Sequence, residues 1–246
     1  MQIEYAELSL IGGREENQDR VLVEVNDQAA LAVVVDGMGG HADGAKAAEL
    51  ATTIFADQFG KRPHPVFDPQ GFLHLSIGQA HHQMVALGDG LSVEVRPRAT
   101  CVMMLVQDGG VFWGHVGDSR IYLIRDQQIH ERTRDHSHVE LLLQEGLITE
   151  EEIADHPMRN FVECCLGGDM ILPGMNITSA KKLQPGDTLL ACSDGFWSGL
   201  SDEEISSLGN AGGQLKEALR ALGEHAVKVS GQFADNTSAV AIRWQG

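Results

Sequence analysis

A chain of 246 residues, 43% of them hydrophobic and with a formal net charge of −17, can bury one sizeable core or two small ones. That acidity excludes a nucleic-acid or anionic-membrane surface, because phosphates would be repelled, and no apolar run reaches the length of a bilayer span. The first residues, MQIEYAELSL, lack the basic-then-apolar form of a secretion signal, so a cytoplasmic location is expected.

The chain opens on strand patterns. IEYAELSL and RVLVEVN alternate, whereas ALAVVVD is a continuous apolar run suited to a strand covered on both faces. Two helical patterns follow. DGAKAAELATTIFADQFG places Ala47, Leu50, Ala51 and Ile54 on one face and stops at Gly60. The second runs from about Phe72 to Leu87, with His81–His82 expected on its polar edge. Between them KRPHPVFDP is a proline-rich loop.

Strands return in ATCVMMLVQDGGVFWGHVGDSRIYLIRDQQIHER, where QDGG predicts a hairpin and RDQQ a second reversal. From Ser137 to Leu166 the texture becomes polar and helical. MNITSAKKLQPGDTLLACSDG resumes the strands, SDEEISSLG and GQLKEALRALGEHAVKVSG read as helices, and NTSAVAIRW is a last strand. Hairpin-joined strands and paired helices predict an α+β fold of antiparallel sheets with helices outside, not a doubly wound parallel sheet. Cys101, Cys164, Cys165 and Cys192 form no C-x-x-C spacing, and most have apolar neighbours, so buried reduced thiols are expected. None of the eleven histidines stands in an H-E-x-x-H or H-x₃-H arrangement.

The acids are placed less ordinarily. Asp36, Asp118 and Asp194 each end an apolar run, and Asp235 directly precedes the last strand. Singly, each reads as a turn: Asp-Gly is a common hairpin signal and ADNT suits an Asx turn. Together, acids at strand ends would meet at one edge of packed sheets, where carboxylates resist ionisation unless cations intervene. Hard ions such as Mg²⁺ or Mn²⁺ suit aspartate with backbone carbonyls, and Gly37 beside Asp36 leaves room for a carbonyl to approach. Arg14, after a double glycine, would ordinarily be a surface charge; beside metals it becomes a candidate clamp for a phosphoryl group.

Six motifs in order, REENQDR (14–20), VVDGMGGH (34–41), HVGDSRIYLIR (115–125), RDHS (134–137), SDG (193–195) and DNTSAV (235–240), give the chain a strong resemblance to the metal-dependent protein phosphatases of the 2C type in their bacterial form. The resemblance covers essentially the whole chain. It implies a four-layer α-β-β-α sandwich of two antiparallel sheets flanked by helices, as one catalytic domain over residues 1–246 with a mobile flap at about 137–166. PMRNF (157–161) would anchor the flap's return. It also implies two Mn²⁺ or Mg²⁺ ions and a third, weaker one. Asp36 would bridge the pair, with Asp194 and Asp235 on the first ion and the Gly37 carbonyl on the second. Asp118, with Asp194, would hold the third. Asp19 would orient metal-bound water and Arg14 would bind the substrate phosphate.

The implied activity is hydrolysis of phosphoserine and phosphothreonine in proteins by a metal-bridged water, opposing a bacterial Ser/Thr kinase. A monomer is expected, and the overall resemblance extends to a soluble group that regulates type VI secretion. Two departures from eukaryotic relatives stand out. Met38 replaces a histidine proposed as general acid, a position His41 does not occupy, and Gln18 replaces a glutamate. Cys192 receives no catalytic role. The alternatives are a silent phosphoprotein-binding relative, disfavoured by the full set of acids, and a small phosphate-ester hydrolase, which rates on phosphopeptides and nucleotides would separate.

Overall fold

The computed structural model describes residues 1–38, 43–153, 155–210 and 213–246. In chain order its first strands are β1 (Ile3–Leu10), β2 (Asp19–Val25) and β3 (Ala29–Met38), followed by helices α1 (Asp43–Gly60) and α2 (Pro69–Leu87). Strands β4 (Arg98–Gln107), β5 (Gly110–Val116), β6 (Arg120–Arg125) and β7 (Gln128–Arg132) precede the short helices α3 (His138–Gln144) and α4 (Glu150–Ile153). Three two-residue strands, β8 (Leu166–Gly167), β9 (Asn176–Ile177) and β10 (Lys181–Lys182), lead to β11 (Thr188–Cys192). Helices α5 (Asp194–Trp197), α6 (Asp202–Ser206) and α7 (Leu215–Ser230) precede β12 (Thr237–Trp244).

The strands form two sheets. One runs β1-β12-β11-β6-β7; the other runs β10-β5-β4-β3-β2, with β8 on β4 and β9 on β5. All pairings are antiparallel, as the hairpin signals required. The apolar run of β3 is explained by its two faces. Leu31, Val33 and Val35 pack with α1 and α2, while Ala30, Ala32 and Val34 face the second sheet. That inter-sheet core is completed by Ile121, Leu123, Leu189, Val240 and Ile242. The outer face of the second sheet packs Leu190, Ala239 and Ala241 against Leu215 and Leu219 of α7. The four-layer α-β-β-α sandwich is therefore present.

Both predicted reversals form, by different means. Asp108 and Gly109 have φ of 51° and 70°, and Asp126 and Gln127 have φ of 51° and 58°. Two consecutive left-handed residues match the right-handed twist of the flanking strands. At the first turn glycine accepts that conformation; at the second, Gln127 is held in it by the β6–β7 pairing.

Three expectations are corrected. Among the described residues, 137–166 is less helical than predicted, its helix confined to α3 and α4 among turns. The base of that segment is pinned instead, by a Ser137–Val162 bridge, His138 N–H to Phe161 O (3.0 Å) and Glu163 N–H to His136 O (2.8 Å). His81 is not on a polar edge. It is fully buried, and its Nδ1 accepts the Gly167 N–H at 3.2 Å, so it ties β8 to α2 while burial lowers its pKa. Cys101 and Cys192 are buried thiols as expected, but Cys164 and Cys165 are only half-buried. At one pole of the molecule the chain ends pair, Gln2 N–H to Gly246 O at 2.9 Å and Gln245 N–H to Gln2 O at 2.9 Å.

Candidate metal and phosphate site

The even-numbered stripe of β3 that fills the inter-sheet core continues one step past Val34 to Asp36. The acid that ends the run is thus aimed at the rim of the space between the sheets. Its neighbours there are polar too. Asp19 is paired with Asp36 across β2 and β3, and the Thr100 and Ser119 hydroxyls meet at 2.7 Å in the buried floor. Asp118 stands in the β5–β6 connection, where the chain crosses between the sheets, and from the second sheet's side come Asp194 at the start of α5 and Asp235 just before β12.

A cleft of about 560 Å³ opens over this rim. Six of the residues anticipated from sequence line it: Arg14, Asp36, Gly37, Asp118, Asp194 and Asp235. Asp19 does not. It is 2% exposed and sits behind Asp36, with Oδ2 accepting from Ser193 Oγ at 2.8 Å and Oδ1 buried without a partner. His41 and the glycines at 39 and 40 lie outside the described residues.

Burial and crowding dominate the electrostatics. Asp36 and Asp194 titrate well above the ordinary 3.8, first because of burial and then because of repulsion from the surrounding aspartates. Asp19 and Asp118 are raised to about 6, again chiefly by burial. Arg14 places Nη2 2.7 Å from Asp235 Oδ2 at the cleft edge. Among the described residues no three His, Cys, Asp or Glu side chains are drawn together as a preformed ligand set. Asp235 is held by Arg14, and Asp19 by Ser193.

The donors nevertheless fit a hard divalent cation. They are carboxylate oxygens, with no thiol or imidazole among the described lining residues; burial and mutual repulsion raise the pKa of Asp36 and Asp194, which a cation would relieve, and one buried oxygen, Asp19 Oδ1, is unpartnered. Gly37 and Gly44 meet back to back. A Cβ on Gly37 would stand 2.1 Å from the Gly44 carbonyl, so glycine is required for the chain to pass beside Asp36.

Several cleft residues were not singled out from sequence. Asn236 staples the site together: its Oδ1 accepts the Gln18 N–H at 2.8 Å, and its Nδ2 donates to Ile11 O and Glu16 O at 2.9 and 3.0 Å. It lies inside DNTSAV, yet its partners are some 220 positions away in the chain, which no local pattern reveals. Ser193 of SDG holds Asp19 by the same kind of distant contact. Asn160 and Val162, from the segment between β7 and β8, and Glu15 and Glu16 complete the walls.

Two antiparallel sheets with acids gathered at one edge and an arginine beside them define a phosphate-ester hydrolase architecture. The chain belongs to the protein phosphatase 2C family, whose profile matches residues 9–230. Protein phosphatase PhpP of Streptococcus pneumoniae is 34% identical over 202 residues, 79% of each chain. PstP of Mycobacterium tuberculosis is 31% identical over 211 residues, 81% of this chain but 39% of that longer protein. The crystal structure of the PstP catalytic domain in complex with two manganese ions superposes with a TM-score of 0.81 at 27% identity, covering 99% of both chains. The Streptococcus agalactiae serine/threonine phosphatase does so with a TM-score of 0.91 at 27% identity, covering 99% of this chain and 100% of that one.

Proposed function

We propose that this chain hydrolyses phosphoserine and phosphothreonine in proteins, using divalent cations gathered by Asp36, Asp118, Asp194 and Asp235 and by the Gly37 carbonyl. The observation that carries the reading is the convergence of these acids, separated by up to 199 positions, on one cleft beside Arg14. Mn²⁺ or Mg²⁺ bound there would polarise the phosphoryl group and lower the pKa of a coordinated water. Asp36 is central to the cluster, and Asp194 and Asp118 lie close enough to raise its pKa, so each gains from a shared cation. Asp118 with Asp194 is the pair for a third, weaker ion. Asp19 acts from behind, its unpartnered Oδ1 available to accept from water beyond Asp36. Arg14, more than half exposed, is free to turn its guanidinium from Asp235 to a bound phosphate, where a planar fork makes two parallel bonds.

The segment 137–166 reads as a flap, hinged at its pinned base and presenting Asn160 and Val162 to the cleft. Among the described residues no helix is long and apolar enough to cross a membrane, and the four cysteines are unpaired. Unpaired thiols support action in a reducing cytoplasm, opposite a Ser/Thr kinase. The deciding experiment measures release of phosphate from a phosphothreonine peptide with Mn²⁺, with EDTA, and in Asp36→Asn. Activity that requires Mn²⁺ and falls at least about a thousandfold in the variant is expected; no hydrolysis by folded, Mn²⁺-loaded protein would overturn the enzyme reading.

A further inference from the structure

Asp118 and Asp194 come from different connections, and something must set the distance between them. Asp194 begins α5 and Trp197 ends it. The Trp197 indole Nε1–H donates to the Asp118 backbone carbonyl at 3.0 Å, so the helix that carries one acid reaches back to hold the loop that carries the other. Above the indole lies the Arg120 guanidinium, its carbon 3.3 Å from the ring centroid. Arg120 is itself locked. Its Nε and Nη2 make a two-pronged bond to Asp135 at 2.8 and 2.7 Å, and Nη1 donates to the Tyr122 hydroxyl at 3.4 Å. The neighbouring His136 grips Gly117 from the other side, donating its N–H to Gly117 O at 2.9 Å and accepting the Gly117 N–H on Nδ1 at 3.3 Å. Asp118 is therefore suspended between two fixed points, and none of Trp197, Arg120 or Asp135 lines the cleft.

We propose that Trp197, Arg120 and Asp135 form a positioning relay that sets the spacing of Asp118 and Asp194, and so tunes the weakest cation site without touching a cation. The proposal rests on the reading of the cleft as a metal site. An arginine stacked on an indole and clamped by a carboxylate is a rigid part: the stack fixes the plane of the ring, the clamp fixes the plane of the guanidinium, and the indole N–H then has one direction in which to donate. Groups that orient ligands from behind change metal affinity by roughly 10–100-fold when removed. Because this relay acts through a main-chain carbonyl, the lower end of that range is expected.

The test titrates Mn²⁺ into the full chain by calorimetry, without substrate, for wild type, Asp118→Asn, Trp197→Phe and Arg120→Lys. Phenylalanine keeps a ring under Arg120 and removes only the N–H; lysine keeps the charge and removes the fork. The binding step abolished in Asp118→Asn is expected to weaken about tenfold in both relay variants, while the tighter steps stay within about twofold of wild type. The Mn²⁺ concentration for half-maximal phosphopeptide hydrolysis should rise by the same factor, with KM at saturating Mn²⁺ unchanged. A lowered melting temperature with that step within twofold of wild type would show a packing role only and overturn the relay. If wild type binds no Mn²⁺ at all, the metal reading itself falls, which is a distinct result. Should Trp197→Phe fail to fold, Arg120→Lys and Asp135→Asn decide the question alone.

Discussion

At the scale of single residues, the cleft is a set of like charges crowded at one rim, and the Arg14–Asp235 pair at its edge is exposed. Arg14 and Asp235 are 57% and 38% exposed, so their 2.7 Å bond contributes at most about 1 kcal/mol. Arg14→Ala is therefore expected to bind Mn²⁺ a few-fold more tightly, because Asp235 loses its competing cation, while KM for a phosphopeptide rises roughly 30-fold with the lost charge-assisted bonds. Calorimetry and steady-state kinetics on one preparation check both halves. The buried acids give a second expectation, with a definite sign. Their folded pKa values lie above the unfolded 3.8, so the folded state holds protons that the unfolded state releases, and stability falls as pH rises from about 4 through about 6. Metal-free protein should melt several degrees lower at neutral pH than near pH 5. Asp36→Asn should flatten that slope and raise the metal-free melting temperature, even as it abolishes hydrolysis. At this scale the sequence was informative wherever an acid interrupted an apolar run, as at Asp36, Asp118 and Asp194. It was silent on Asn236, Ser193 and Trp197, whose roles consist of hydrogen bonds to partners far along the chain. Polar residues of that kind look like any turn until the fold brings them together.

Elements were legible where one physical signal acted alone. The span of α1, Asp43–Gly60, follows from its apolar face and its terminal glycine. The Asp108–Gly109 turn follows from a dipeptide suited to left-handed φ. Where tertiary contacts overrule local preference, the pattern misled. His81 is buried because Gly167 supplies its hydrogen bond, and the 137–166 segment trades helix for turns that let Asn160 and Val162 reach the cleft. Gln127 shows the same override in the backbone. Held at φ 58°, it stores strain that glycine would not, so Gln127→Gly is expected to stabilise the protein by about 1 kcal/mol in urea unfolding with no change in kinetics. Gly37→Ala acts in the opposite direction. The added methyl would stand 2.1 Å from the Gly44 carbonyl, and separating α1 from β3 should cost about 3 kcal/mol in the same assay.

Across the whole molecule, the sandwich sets hydrophobic layers on both sides of each sheet and leaves one rim for charge. The cation requirement is then a stability requirement as well. At a hundred times its dissociation constant Mn²⁺ contributes about 2.7 kcal/mol, which for a chain of this size raises the melting temperature by roughly 5–10 °C. EDTA should reverse the shift in a thermal scan, and Asp36→Asn should not show it. The opposite pole has its own consequence. Ile3 pairs with Trp244 while Leu10 pairs with Thr237, so the chain ends sit together about 25 Å of strand away from the pole of Arg14 and Asp235. A short glycine-serine bridge between the ends would turn β12 and β1 into a hairpin, and new ends cut at Gly146, in the turn after α3, would leave both sheets intact. In such a ring-and-reopen variant the chain would start in its flap, and β8–β12 would be synthesised before β1–β7 while the cleft that the two sheets jointly build stayed the same.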